Sequence, residues 1–266
     1  MRMLNFVLIK KFKITLPRAL KELEKEKKIK LYSIEQAEKY LKEKKIDFQG
    51  IITVGGDGTL LKAIPFAYKY DLPIIAVAKG NFGFLTEINT NQIVEIINLI
   101  QEKKFYVKKK YPILVEHKNQ KIPALNEVAI LKGPAGKIIH LEVKINNEHL
   151  TTVYGDGLII ATPTGSTAYN LSAGGPVLHE ETQALVCTPI CSFKINIKPF
   201  VFPDNFKIKV QLTNPKDSAH LLIDGQINIP FKTNDTLIAS KAPKPVSFIS
   251  PCLGNYLEKL RKKFKW

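Results

Sequence analysis

The 266-residue sequence predicts an α/β domain at its N-terminal end followed by an all-β sandwich, and two observations carry that reading. Over the first hundred residues, strand-like and helix-like segments alternate, which is the pattern of a parallel sheet wrapped by helices. Beyond about Lys108 the apolar period switches to two, the mark of half-buried antiparallel strands. The divisions that follow are 1–105 for the α/β domain, 106–240 for the β-sandwich, and 241–266 for a C-terminal segment returning to the α/β domain.

Taken in order, Phe6–Ile9 reads as a strand and Pro17–Lys28 as a charged helix. Ser33–Glu43 reads as a second helix, with Ser33 as N-cap and Gln36 three residues on. Gly50–Val54 is a buried strand because it is apolar and β-branched. A helix follows from about Thr59 to Tyr70, and Pro65 should shorten or kink it. Pro73–Val77 is the next buried strand, and Asn91–Lys103 is helical, with Ile93, Ile96, Ile97 and Ile100 on one face. Together these segments describe a Rossmann-like, doubly wound parallel sheet.

The second part contains the alternating runs Ile139–Ile145, Phe193–Ile197 and Phe206–Leu212, each expected to form a strand. Turn clusters at Asn146-Asn147 and Asn214-Pro215-Lys216-Asp217 punctuate them. The last dozen residues look helical and are expected to pack back on the first domain.

Forty Lys/Arg against 24 Asp/Glu give a net charge of +16, and the surplus is concentrated in the first fifty residues and after Asn255. A basic surface suits an anionic partner, either nucleic acid or a phosphorylated small molecule. Arg2, Arg18 and Arg261 are the only arginines, few for a surface that reads base edges through bidentate contacts. A lysine-rich solvated face is therefore favoured, with no nucleic acid as partner. No apolar run approaches the roughly 20 residues that span a bilayer, so no membrane partner is expected. The apolar Leu4–Ile9 is cut short by Lys10, Lys11 and Lys13 and is no signal-peptide core. Cys187, Cys191 and Cys252 form an odd set without Cys-x-x-Cys pairs, which argues against structural zinc or disulfides and predicts a cytoplasmic protein.

Gly55-Gly56-Asp57-Gly58-Thr59 lies between a buried strand and a helix start. Such a turn brings backbone N–H groups close to an anion, and the helix N-terminus favours negative charge there. Asp57 is the odd member, because a carboxylate repels phosphate. It makes chemical sense if Asp57 accepts a proton from an attacking hydroxyl or orients a metal. The alternative is a plain strand-to-helix turn with an N-cap aspartate.

A second candidate is the run from Tyr154 to Pro176, dense in Ser, Thr and Gly. Short hydroxyls and exposed amides suit a ligand bearing phosphates or ribose hydroxyls; the competing account is a long loop capping the sandwich. Asn126-Glu127 pairs an amide with a carboxylate, and Asp224-Gly225-Gln226 is a turn by default.

Gly55–Thr59, Asn126-Glu127, the Asp156–Pro176 block and Asp224-Gly225-Gln226, in this order, resemble the NAD kinase family, as does Gly83-Phe84-Leu85-Thr86-Glu87. The first motif is shared with diacylglycerol and sphingosine kinases and, more loosely, with phosphofructokinases. The Thr-Gly-Ser-Thr-Ala-Tyr and Ser-Ala-Gly-Gly-Pro segments are much more specific. The resemblance implies an enzyme that uses ATP (or polyphosphate) with a divalent cation such as Mg²⁺ to phosphorylate NAD. It also implies a site between the domains and a homodimer or homotetramer. A lipid kinase of the same superfamily and a basic nucleic-acid-binding protein are the rival readings.

Carried over by position, the resemblance makes Asp57 the proton acceptor for the adenosine ribose 2′-hydroxyl. Gly55, Gly56, Gly58 and Thr59 would lie by the phosphates, with Asp57 and Gly58 also at NAD. Asn126 and Glu127 would hold the ribose and the neighbouring phosphate. Lys137, Tyr154, Asp156 and Gln226 fall at NAD-contact positions, and Thr167, Ala168, Tyr169, Asn170, Leu171 and Ser172 would surround the bases. No metal-ligating side chain is assigned. Ala78 stands where the family usually has Asn, and Tyr154 where many members have Arg or Lys.

Overall fold

A computed structural model describes residues 3–80, 83–134, 136–194, 196–251 and 256–265. The chain divides into two compact units, Met1–Lys110 with Pro245–Trp266, and Tyr111–Lys244.

In the first unit the strands Leu4–Lys10, Ile29–Tyr32, Gly50–Gly55 and Ile74–Ala78 pair in parallel. Leu4–Lys10 lies between Ile29–Tyr32 on one side and Gly50–Gly55 on the other. The strand order therefore reverses at Leu4–Lys10, and in open α/β sheets ligands bind beyond the strand C-termini at such a reversal. The Gly55–Thr59 turn leaves the sheet at that end.

Val246–Ser250 extends the sheet, parallel to Ile74–Ala78 and antiparallel to the edge strand Tyr106–Lys110. Gly50–Gly55 and Ile74–Ala78 are buried throughout, as expected of strands covered on both faces. Phe6, Ile52, Val54, Ile75, Val77 and the helical Leu20, Leu23, Ile96 and Ile97 share one core.

The local rules worked well here. Ser33 caps the helix Ile34–Lys42 in a full capping box with Gln36. Asn91–Lys103 resolves into a 3₁₀ turn Thr90–Gln92, capped by Asn89, and the helix Ile93–Gln101. The helix expected over Thr59–Tyr70 is instead two short ones, Asp57–Leu61 and Ile64–Tyr70. Pro65 sits in the first turn of the second, where its missing N–H costs nothing, so it starts a helix rather than bending one.

The second unit is a sandwich of two six-stranded antiparallel sheets. One runs in the order Glu148–Gly155, Ile139–Ile145, Ile208–Leu212, Thr236–Lys241, Ile113–His117, Gln120–Ala124. The other runs Phe200–Pro203, Ala184–Ile190, Gly157–Ala161, Glu127–Lys132, Ala219–Ile223, Ile227–Phe231. Val115, Val143 and Val210 from the first meet Ile130, Ile160 and Leu221 from the second in one core.

The two sheets differ outside that core. Ile139–Ile145 alternates buried and half-buried residues, whereas Gly157–Ala161 is buried on both faces. Ala129, Ile159, Ala161 and Val186 form a second apolar cluster, with Ala173 and Leu178 packed on it. The hydroxyl-rich segment after Ala161 thus covers the outer face of this sheet.

The strand expected at Phe193–Ile197 does not form. Ala184–Ile190 ends before Cys191, which takes φ +45°, and Phe193 and Lys194 lie in bends with Asn196 in a turn; Ile195 is outside the described residues. Phe193 donates its N–H to the Tyr154 carbonyl while its ring is 78% exposed. Alternation alone could not make a strand where the apolar side chains lack a buried face to share.

Candidate functional site

Asp57 opens the helix Asp57–Leu61 with Gly56 as N-cap, and Gly56 and Gly58 beside it are exposed. Its carboxylate is gripped by the loop that follows the strand Ile74–Ala78. Oδ2 accepts from the Phe84 N–H at 2.8 Å; Oδ1 accepts from the N–H groups of Leu85 and Thr86, both at 3.1 Å, and from the Thr86 hydroxyl at 3.2 Å. Thr86 Oγ1 in turn accepts from the Gly83 N–H at 2.9 Å. A Cβ at Gly83 would overlap the Asp57 carboxylate, so only glycine lets the loop approach this closely. A carboxylate offers about four acceptor positions. Oδ1 is fully engaged, and among the described residues Oδ2 keeps one acceptor position.

Glu87, next in the loop, pairs with Lys108 at 2.6 Å and with Lys259 of the helix Tyr256–Phe264. The Phe84 ring meets the Phe264 ring of the same helix at 5.5 Å. Asp57 thus sits in a backbone cradle whose far side is fastened by charge and by aromatic packing.

In the sandwich unit the Leu125–Glu127 stretch is knit from three directions. Asp224 accepts from the N–H groups of Leu125 and Asn126 at 2.7 Å and of Glu127 at 3.1 Å. Thr162 donates its hydroxyl to the Leu125 carbonyl at 2.6 Å, and the Thr162 N–H donates to the Asn126 carbonyl. Gly165 lies so close to Asn126 that a Cβ there would strike its backbone. Asp224 and Gly225 both have positive φ, and the Gln226 N–H donates to the Ile223 carbonyl, closing the turn that holds the Asp224 carboxylate in place.

Glu127 is buried, with its carboxyl accepting from the Tyr169 N–H and Oε2 without a hydrogen-bond partner among the described residues. Burial, reinforced by the Asp224 charge and opposed by the Tyr169 N–H, pushes its pKa up to about 8. Burial also raises Asp224 to about 6, against the pull of the three N–H groups it accepts from. That shift favours the protonated acid at neutral pH, a form that can both donate and accept.

The remaining predicted positions fall into two kinds. Thr164–Thr167 is a 3₁₀ turn and Tyr169–Ser172 a short helix, with Tyr169 and Ser172 exposed and Thr167, Ala168 and Leu171 half-buried. Asn170 is fully buried. Its amide donates to the carbonyls of Ser166 and Pro176, both at 3.0 Å, and its carbonyl accepts from the Thr188 hydroxyl at 2.6 Å. That side chain holds the segment's own shape. Lys137 and Gln226 are exposed, and Asp156 pairs with Lys132 at 2.7 Å. Tyr154 lies edge-on to His140, with the Lys194 ammonium 4.4 Å from its ring centre.

Three contributors lie in segments that carry the family resemblance but were given no individual role from sequence. Asp224 read as a turn residue, Thr162 as one hydroxyl among many, and the Phe84–Thr86 amides carry no side-chain signal. The signals that existed were an Asp-Gly pair at a hairpin and a glycine before Phe84.

Residues 2–105 match the family model of the ATP-NAD kinase N-terminal domain, and residues 125–250 that of the C-terminal domain. NAD kinase from Aquifex aeolicus is 34% identical over 233 residues, 86% of this chain and 84% of that protein. NAD kinase from Citrifermentans bemidjiense is 36% identical over 222 residues, 81% and 77%. Among solved structures, the Archaeoglobus fulgidus NAD kinase in complex with ATP superposes with a TM-score of 0.76 at 25% identity, covering 98% of each chain. The yeast NADH kinase complexed with NADH shares the fold, with a TM-score of 0.85 at 19% identity over 99% of this chain and 88% of that one. Matched by both domain models and by relatives along most of their length, this chain belongs to the NAD kinase family.

Proposed function

We propose that the chain transfers the terminal phosphoryl group of ATP to the 2′-hydroxyl of the adenosine ribose of NAD, giving NADP. The observation that supports this most directly is the Asp57 carboxylate, fixed by four donors yet keeping one acceptor position on Oδ2. A ribose hydroxyl is a weak nucleophile near neutral pH. Its alignment with the phosphorus and acceptance of its proton late in the transfer carry the catalysis. Asp57 is the acceptor in this reading, with Gly55, Gly56, Gly58 and Thr59 lining the phosphates.

Asn126 and Glu127 hold the ribose region, with Lys137, Tyr154, Asp156 and Gln226 at further NAD contacts. Thr167–Ser172 surrounds the bases, Asn170 through the backbone it shapes. Among the described residues no cluster of three or more His, Cys, Asp or Glu side chains could cage a metal. Mg²⁺ usually arrives on nucleotide phosphates and keeps its waters; when bound, it would screen charge on the transferring group. We also infer a cytoplasmic homo-oligomer and a C-terminal helix packed on the α/β unit, the latter supported by the Lys259–Glu87 and Phe84–Phe264 contacts. Among the described residues no helix is long and apolar enough to cross a membrane.

The test is a coupled assay of purified protein with NAD, ATP and Mg²⁺, reading NADP. Turnover supports the reading. No NADP, but phosphorylation of diacylglycerol, would move the chain to the lipid kinases.

A further inference from the structure

The helix Tyr256–Phe264 is built from a strongly charged segment, and three of its side chains reach the loop that cradles Asp57. Lys259 pairs with Glu87, and the Phe264 ring packs on Phe84, with the Lys263 ammonium 5.9 Å from the same Phe84 ring centre. These anchors lie on either side of Leu85 and Thr86, the residues whose N–H groups hold Oδ1. Exposed ion pairs contribute little, but Glu87, Lys108 and Lys259 are each no more than one-fifth exposed.

Lys108 belongs to the sheet, so it fixes Glu87 to the body of the unit. Lys259 and Phe264 belong to the helix, so they fix the outer side of the loop. The Asp57 carboxylate has no ion-pair partner among the described residues; its orientation depends wholly on where the three N–H groups and the Thr86 hydroxyl are placed.

We propose that Lys259 and Phe264 are positioning residues: through Glu87 and Phe84 the C-terminal helix holds the Phe84–Thr86 loop, and thereby aims the open position of the Asp57 carboxylate at the hydroxyl it deprotonates. This rests on the function proposed above. Neither residue need touch a substrate. Releasing the loop leaves Asp57 present but misdirected, and misplacement of a reacting group by about 1 Å can cost up to about 10²-fold in rate.

The experiment compares Lys259→Met, Lys259→Arg and the control Lys262→Met, whose Glu258 partner lies on the same exposed helix face. Hydrogen exchange at the Phe84, Leu85 and Thr86 amides reads the cradle without activity, and steady-state kinetics reads its consequence. The expected result for Lys259→Met is exchange faster by about fivefold or more at those three amides. Its kcat should fall about tenfold while the KM for NAD stays within about twofold, because the lost interaction acts on chemistry and not on binding. Lys259→Arg should restore both, and Lys262→Met should change neither.

Unchanged exchange at these amides overturns the proposal, and so does faster exchange with unchanged kcat. A wild-type protein without NAD phosphorylation overturns the proposed function instead, while the exchange data still judge the clamp. If Lys259→Met is not recovered folded, Phe264→Leu answers the same question with the same readouts.

Discussion

Asp57 in the α/β unit and Asp224 in the sandwich each accept from three successive backbone N–H groups, Phe84–Thr86 in one case and Leu125–Glu127 in the other. Both therefore shape a loop as a carboxylate at a helix N-terminus would shape a turn. They differ in exposure and in what surrounds them. Asp57 is half-buried between two exposed glycines, whereas Asp224 is 5% exposed beside a second buried acid, Glu127. The same backbone device leaves one carboxylate reachable by a ligand and makes the other an internal brace. Exposure, more than hydrogen bonding, separates a candidate catalyst from a structural acid.

The largest expected effect breaks the reachable member. Asp57→Asn removes the proposed proton acceptor and should lower kcat by about 10²–10⁴-fold, the usual range for a general base. The amide oxygen can still accept from Leu85 and Thr86, so the loop and NAD binding should survive. Turnover and equilibrium NAD binding, measured on one folded preparation, decide it. A variant that binds NAD and turns over within a few-fold of wild type returns Asp57 to the role of a turn residue.

Next comes the buried member. Asp224→Asn sets an NH₂ group against at least one of three buried N–H donors, and a buried donor left unpaired costs about 1–3 kcal/mol. With the amide oxygen in the Oδ1 position, Asn126 and Glu127 keep their acceptor and only Leu125 loses one, so stability should fall by about 1–3 kcal/mol, read as the shift in a denaturant midpoint. Folded Asp224→Asn should keep much of its kcat while the KM for NAD rises, the reverse of the Asp57 variant. Equal effects on kcat from both variants would erase the distinction drawn between them.

How much of this was legible in the sequence follows from the same contrast. The alternation of period-two and helical segments, the Ser33 capping box and the Asp57 turn are local, and local chemistry decided them. The helix break before Ile64 follows from Pro65, a local signal, whereas the missing strand at Phe193 was decided by position in the fold, which periodicity does not encode. The Asp57 cradle pairs residues 27 to 29 positions apart, and the Asp224 brace pairs residues 97 to 99 apart. Neither leaves a pattern in a single sequence, because the donors are backbone amides that every non-proline residue carries. Glu127 was visible as a residue, but its neutral state arises from burial and from Asp224 and so needed the fold.

A moderate effect should appear in the pH dependence of stability. The Glu127 value of about 8 lies above its ordinary 4.5, so the folded chain holds the proton more tightly than the unfolded one. Its contribution is complete below 4.5 and is lost as pH rises through about 8. Asp224, at about 6 against 3.8, loses its share in the lower window. The Tm should therefore fall between about pH 4.5 and pH 8 and level off above, by the equivalent of a few kcal/mol. Glu127→Gln should flatten the upper part of that slope. A wild-type curve with no decline above pH 7 would mean that Glu127 is already ionised.

The smallest effect is the most discriminating about Glu127 itself. A neutral carboxyl and an amide both offer one acceptor oxygen and a donor, so at pH 7 Glu127→Gln should change the KM for NAD by less than about threefold. If Glu127 holds the ribose region as proposed, Glu127→Ala leaves that group without its partner and should raise KM by roughly 5- to 100-fold, the penalty of about 1–3 kcal/mol for a lost buried hydrogen bond. Raising the pH past 8 ionises the wild-type acid but not the amide, so the two KM values should diverge there. If Glu127→Gln already raises KM tenfold at pH 7, NAD binds an ionised carboxylate. The free acid would then release its proton on binding, and NAD titrations in buffers of different ionisation enthalpy would read that release directly.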